Sequence, residues 1–330
     1  MRTGAHSAFH QLAYDLGLPA QKAIIRRLVM WSNGPGLQPK SLTEAQHQFD
    51  ELLVALRIPL SLSPAEKLAH LRAAAPSALL KASVHMKQHQ FRAVTDGRFV
   101  RRGLLHEISD GTFARRLRER GIRIMIGECR DEHHVYGSWR PPLDSLDSMA
   151  ERLAADYPVA ACEALRAWYH PSGQLTSGYK DWRDAFGRLY ADVQIHMLQR
   201  GFVGWLARHG AGDLVHRYRI EWRATCTDRV IPEEWGVTHG TDMAIWFWGN
   251  GQVLSAEEKR VVWKGYLEAL AKFLKGEEME WGAETPRKVR RLTETGEVDV
   301  WVDEDLDKGA ELWRVLEEAT ATKALDRAKL

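Results

Sequence analysis

The sequence predicts an α/β fold with a partly parallel sheet. Three observations carry this: runs of strand length recur along the chain, long helical stretches separate them, and capping boxes mark where several of those helices begin.

Taken in order, Thr3 to Leu18 reads as a helix that ends near Gly17 and Pro19. Leu28-Val29-Met30-Trp31-Ser32 then runs into Asn33-Gly34-Pro35-Gly36, a buried strand followed by its turn. Three pairs have the spacing of a capping box, in which a hydroxyl and a carboxylate three residues on satisfy free amides of the first turn. They are Ser41 with Glu44, Ser63 with Glu66 (Pro64 at the first helical position) and Ser255 with Glu258. Ile122-Arg123-Ile124-Met125-Ile126-Gly127 is short, apolar and bounded by turn residues, which favours a buried strand over a helix. A helical region runs from Ser145 to about Arg208 with a break at Pro171 to Gly178. Val215 to Trp222 alternates Val215, Arg217, Arg219 and Glu221 against His216, Tyr218, Ile220 and Trp222, the period of two expected of a strand. A single helix from Glu257 to Lys275 places Val261, Val262, Leu267, Leu270, Phe273 and Leu274 on one side and stops at Gly276. Val289 to Val302 reads as a hairpin turning near Thr295-Gly296, and an amphipathic helix starts at Leu306. No repeat, low-complexity tract or linker divides the chain, so one domain over residues 1–330 is expected.

With 45% hydrophobic and 27% charged residues the composition is globular. The 46 basic and 44 acidic side chains make a mixed field that gives no ground for nucleic-acid binding. The basic clusters Arg115 to Arg123 and Arg287 to Arg291 read as solvated helix faces. No apolar run approaches the roughly 18 residues of a membrane span, and Met1 to His10 lacks the apolar core of a signal peptide. Cys129, Cys162 and Cys226 fit neither a disulfide framework nor a CxxC metal site, so a soluble protein of a reducing compartment, the cytoplasm, is expected.

Two stretches bear chemistry, each placed just beyond a predicted strand, where open α/β sheets hold their sites. They are Gly127-Glu128-Cys129-Arg130-Asp131-Glu132-His133 and Gly236-Val237-Thr238-His239-Gly240-Thr241-Asp242. An acid on one loop and a histidine on a later one are what a hydrolase needs to orient an imidazole and to stabilise it once protonated. Plainer readings stand beside this one: His239 as a satisfied loop histidine and Glu132 as a surface carboxylate beside Arg130. His133-His134 are consecutive and so ill-placed for one metal ion. His85 and His89 flank Met86 where an HExxH motif needs glutamate, and read as solvent-exposed. Trp246 and Trp248, which flank Phe247, read as core or pocket wall. Neither a metal nor a cofactor is expected.

The two loops resemble those of the type B carboxylesterases and cholinesterases. Gly127 through Glu132 is similar to the family's G-x-x-x-D-E loop, and Gly236 to Asp242 to its G-x-x-H-G-x-[DE] loop. Phe91 to Gly97 is similar to F-x-P-V-x-D-G, with Ala93 where proline is usual. Arg26 to Gly34 is similar to F-R-R-A-I-x-Q-S-G, and His216 to Ile220 to Y-x-Y-x-F. The resemblance covers nearly the whole chain. It implies the C-terminal strands of an incomplete α/β-hydrolase fold, with a mostly parallel sheet and long helical crossovers. It also implies carboxylic-ester hydrolysis through a Ser-His-Glu triad and an acyl-enzyme, with His239 as base, Glu132 as acid and no cofactor.

The departure is at the front. The family nucleophile sits in G-x-S-A-G, a strained turn that lifts the hydroxyl toward the histidine. Here Met1-Arg2-Thr3-Gly4 occupies that place, and Arg2 aligns with the serine. A guanidinium stays protonated at working pH and is no nucleophile. Ser7 lies about 7.5 Å further along the helix, beyond hydrogen-bonding reach of a histidine placed for the original serine. No G-x-S-x-G occurs in the sequence. The expectation is a chain that hydrolyses nothing by itself, whose ester substrate would require an N-terminal part. The alternative is a non-catalytic binding module. With the family's preceding strand absent, Leu28 to Ser32 would expose an apolar edge open to a protein partner or to self-association.

Overall fold

The computed structural model describes residues 4–326. Five strands form one sheet in sequence order: β1 (Arg27–Met30), β2 (Arg123–Cys129), β3 (Val215–Ile220), β4 (Lys288–Leu292) and β5 (Val298–Val302). The first four are parallel, and β5 turns back antiparallel beside β4. This is the expected mostly parallel sheet. Each parallel neighbour is reached through a helical crossover, as parallel pairing demands.

The helix α1 (Gly4–Asp15) precedes β1. Between β1 and β2 lie α2 (Leu42–Ala55), α3 (Pro64–Ala73), α4 (Pro76–His85), α5 (Leu104–Ser109) and α6 (Thr112–Glu119). Both Ser41 and Ser63 close the capping boxes that their spacing announces, and Ser255 closes the third. Between β2 and β3 come α7 (His133–Ser138), α8 (Leu146–Asp156), α9 (Val159–Tyr169), α10 (Trp182–Gln194) and α11 (His196–Arg208). The expected stretch from Ser145 to Arg208 therefore has two more breaks than the one foreseen. Pro158 cannot continue α8 because it lacks the amide the helix needs, and Ile195 leaves helical geometry at φ −130°.

After β3 come α12 (Met243–Trp246), α13 (Ala256–Val262) and α14 (Glu268–Lys275), and α15 (Leu306–Asp326) follows β5. The helix expected from Glu257 to Lys275 is interrupted: Trp263–Leu267 makes a π turn between α13 and α14. The basic run Arg287 to Arg291 forms the start of β4 and the residue before it, and is not a helix face. Arg291 pairs with Asp299 across the hairpin at 2.6 Å.

Two apolar clusters cover the two faces of the sheet, and the pleat divides the residues of β2 between them. Ile124 and Ile126 face a larger core with α1, α5, α6, α8 to α11 and α15, while Met125 and Cys129 face a smaller one with α12 to α14. The charged face of β3 is not solvated. Arg217 is 3% exposed and meets Asp303, which also receives Arg200 Nε at 2.9 Å, while Arg200 and Arg219 converge on buried Glu128. Burial opposes ionisation of Glu128, but the charges of Arg200, His196 and Arg219 overcome it and hold that carboxyl well below the usual range. α11 and α15 cross in close contact at Gly201 and Gly309: a Cβ on Gly201 would stand 2.7 Å from the Gly309 carbonyl oxygen.

β1 is an edge strand, and among the described residues no strand pairs with its outer side. It is shorter than expected, because Trp31 and Ser32 leave it and Ser32 turns into the left-handed region at φ 44°. No described helix is long and apolar enough to cross a membrane. All three cysteines are free and buried.

Candidate active site

β1, β2 and β3 are parallel, so the segments leaving Met30, Cys129 and Ile220 emerge at one end of the sheet. The first chemical stretch starts earlier than expected. Gly127 to Cys129 belong to β2 itself, and only Arg130 onward is loop. Glu128 accordingly points into the ion network under the sheet, while Glu132, the residue before α7, reaches the site.

Glu132 is fully buried. Its Oε1 accepts the Cys129 amide at 2.9 Å, and its Oε2 lies 2.9 Å from Nδ1 of His239. The Tyr136 hydroxyl is 3.4 Å from the same nitrogen. His239 is 7% exposed, and its Nε2 has no hydrogen-bond partner. With Nδ1–H given to the carboxylate, Nε2 carries the lone pair, so the imidazole is oriented to take a proton on that side.

The two loops are tied directly. Val237 donates its amide to Asp131 Oδ2 at 2.9 Å, and the Asp131 amide donates to the Val237 carbonyl. Burial opposes ionisation of Asp131, but hydrogen bonds from Arg130 and the Val237 amide, with the Arg130 charge, hold its carboxyl below the usual range. Gly236 makes the approach feasible. It sits at φ 58°, ψ −139°, and a Cβ there would stand 2.5 Å from Asp131 Oδ2.

A second buried group backs the histidine loop. Asp242 Oδ2 accepts Ser32 Oγ at 2.8 Å and Trp246 Nε1 at 3.1 Å, and the Ser32 amide donates to the Tyr218 hydroxyl. This fixes the turn after β1 to the turn after His239. Residue-by-residue reading missed these roles of Ser32, Asp242 and Tyr136, although the first two lie within quoted motifs. Trp246 is core, while Trp248, the other tryptophan expected in the core or a pocket wall, is exposed, as is Phe247 between them. Ser7 is exposed and accepts Gln11 Nε2. Arg2 lies outside the described residues. Among the described side chains no group of three or more metal-ligating residues forms.

Comparison with known proteins finds esterases and lipases. The chain is 43% identical over 318 residues to a carboxylic ester hydrolase of Gibberella moniliformis, and 33% identical over 318 residues to an uncharacterized esterase/lipase of Schizosaccharomyces pombe. Each match covers 95% of this chain and 58% of the relative, so the chain spans little more than half the length of either. EstA of Aspergillus niger superposes with a TM-score of 0.64 at 17% identity, over 96% of this chain and 63% of that one. No family model matches the sequence. The chain thus carries the α/β-hydrolase fold of the type B carboxylesterases. Its curated homologues are named as carboxylic ester hydrolase and esterase.

Proposed function

We propose that this chain supplies the acid–base half of a serine-type carboxylic-ester hydrolase acting on small-molecule esters. The observation that carries the reading is the Glu132 Oε2 to His239 Nδ1 contact of 2.9 Å, with Nε2 left unpartnered beside it. In this reading Nε2 takes the proton of an attacking hydroxyl as the carbonyl is attacked. Glu132 stabilises the resulting imidazolium, and Nε2 returns the proton to the departing alcohol. A second round with water releases the acid. The attacking hydroxyl is the missing part: no serine of this sequence lies in a G-x-S-x-G elbow, so the 330-residue chain alone is expected to leave esters intact.

The test joins the chain to the part of the Gibberella relative outside the matched stretch and assays a short-chain nitrophenyl ester. Turnover that falls by roughly a thousandfold or more in His239→Ala supports the proposal. Turnover indifferent to His239 overturns it, and His239-dependent turnover by the chain alone overturns the requirement for a second part.

The open edge of β1 favours a second reading, a non-catalytic module that engages a protein partner or a second copy of itself. Exposed Phe247 stands beside the end of that strand, with its ring 5.0 Å from Trp31, and exposed Trp248 meets exposed Trp263. Sedimentation as a monomer at every concentration would remove self-association from this reading.

A further inference from the structure

α4, the loop after it and the turn after α7 line an open surface groove of about 440 Å³. That is the size of a site for one small molecule. Its apolar side is formed by Leu79 and Leu80 of α4, Phe91 and Trp139, with Leu80 66% and Phe91 57% exposed. Its polar residues include Arg140 and His89.

The charge around this groove is unbalanced. Arg140 is exposed and joins no ion pair among the described residues, and its backbone is held in the left-handed region at φ 48°. Directly behind it lies Arg152, 6% exposed, with Nε donating to the Arg140 carbonyl at 2.9 Å and the guanidinium 5.8 Å over the Trp139 ring. Arg152 shares its carboxylate, Asp156, with Arg92, so one negative charge faces two positive ones. Lys40 adds a further buried cation, whose Nζ binds Gln88 Oε1 and the Ala154 and Ala155 carbonyls and no carboxylate. Asp156, Glu44 and Glu51 are the opposing charges at Lys40, and Glu51 is also engaged by the Lys87 and Gln88 amides. His89 senses the balance. Burial, then the charges of Arg152 and Arg140, push it below its usual value. Its Nδ1–H is given to the Lys87 carbonyl, and its Nε2 has no partner.

We propose that this groove binds a small amphipathic carboxylate, with its apolar tail along Leu79, Leu80 and Phe91 and its head on Arg140 and His89. The Arg140 guanidinium donates to the carboxylate in an exposed, charge-assisted pair. His89, once protonated, donates from Nε2 to the second oxygen. The apolar walls select for a tail, and the excess of guanidinium charge selects against a cationic or neutral head. The site is built from residues other than the proposed catalytic pair, and its binding does not depend on ester hydrolysis.

The experiment is calorimetric titration of the 330-residue chain with sodium decanoate, decyltrimethylammonium and decyl phosphate at constant ionic strength. It is repeated on Arg140→Gln and Phe91→Ala, both exposed positions whose folding is checked by thermal melts. The expected result is one decanoate per chain, decyltrimethylammonium binding at least about tenfold more weakly, and a loss of about tenfold in each variant. Equal affinity for the cationic and anionic amphiphiles would show non-specific apolar adsorption and overturn the proposal. So would decanoate affinity unchanged in both variants. Decyl phosphate binding tenfold or more above decanoate would overturn the carboxylate assignment in favour of a phosphate head.

Discussion

Asp131 and Val237 exchange two hydrogen bonds, each 2.9 Å long, between the loop that carries Glu132 and the loop that carries His239. The acid is one residue beyond Asp131 and the histidine two beyond Val237, so this clasp sets their separation before the imidazole makes any contact of its own.

Gly236→Ala tests the clasp. The added methyl would press on Asp131 Oδ2, at a backbone conformation that side chains with a Cβ rarely adopt. A loss of about 2 kcal/mol or more in denaturant unfolding is expected, together with a larger fall in kcat than in KM once a nucleophile-bearing segment is joined.

Glu132→Gln keeps the shape of the acid but removes its charge and its demand for the Nδ1 proton. In the joined enzyme a fall in kcat of roughly a thousandfold or more is expected, with KM nearly unchanged, because the loss falls on the imidazolium-like transition state.

Ser32→Ala removes the hydroxyl that meets Asp242 at 2.8 Å inside a fully buried pocket. Loss of a bond to a buried carboxylate is expected to cost about 1–3 kcal/mol in urea unfolding. Ser32→Gly, which relieves the φ of 44° but also lacks the hydroxyl, should be the milder of the two.

Asp303→Asn should be more severe than either. It leaves buried Arg217 without its carboxylate partner and Arg200 with Glu128 alone. Breaking such a pair from one side costs about 3–5 kcal/mol.

Acid should destabilise the chain from an unusually high pH. His10 is 6% exposed and burial lowers it to about 4; His216 is lowered to about 4 by burial and then by Arg123. Both therefore protonate more readily in the unfolded chain, at its ordinary value near 6.5. Unfolded protein binds the extra protons, so stability falls as pH drops from about 6.5 toward 4 and the loss levels off below that. His10→Gln should flatten this part of the profile, measured as unfolding free energy at pH 7, 6 and 5.

How much of this was legible follows from the range of each interaction. β2 and β3 were readable because their patterns are local: an apolar run and an alternation of period two. Glu132 and His239 were readable because their loops carry compact motifs. The Ser32 to Asp242 bond joins residues 210 positions apart, and nothing local announces it. Glu128 was placed in a loop because the strand was taken to end at Gly127, whereas a buried strand can continue through a charged residue when arginines wait beneath it. Residue type alone points Trp248 to the core or a pocket wall, yet it is 45% exposed.

The π turn at Trp263–Leu267 explains a remaining mismatch. A wheel drawn through Glu257 to Lys275 puts Val261, Leu267 and Leu274 on the inner side, yet Val261 and Leu267 are only half-buried and Leu274 is 60% exposed. One residue inserted into helical rhythm advances everything after it by about 100°. The two ends of this segment therefore run out of phase with each other. Tyr266, at the slip, is swung fully inward and places its hydroxyl within 2.9 Å of carbonyls on both β3 and β4. The chain gives up a continuous helical rhythm here, and in return one phenol bolts two neighbouring strands together.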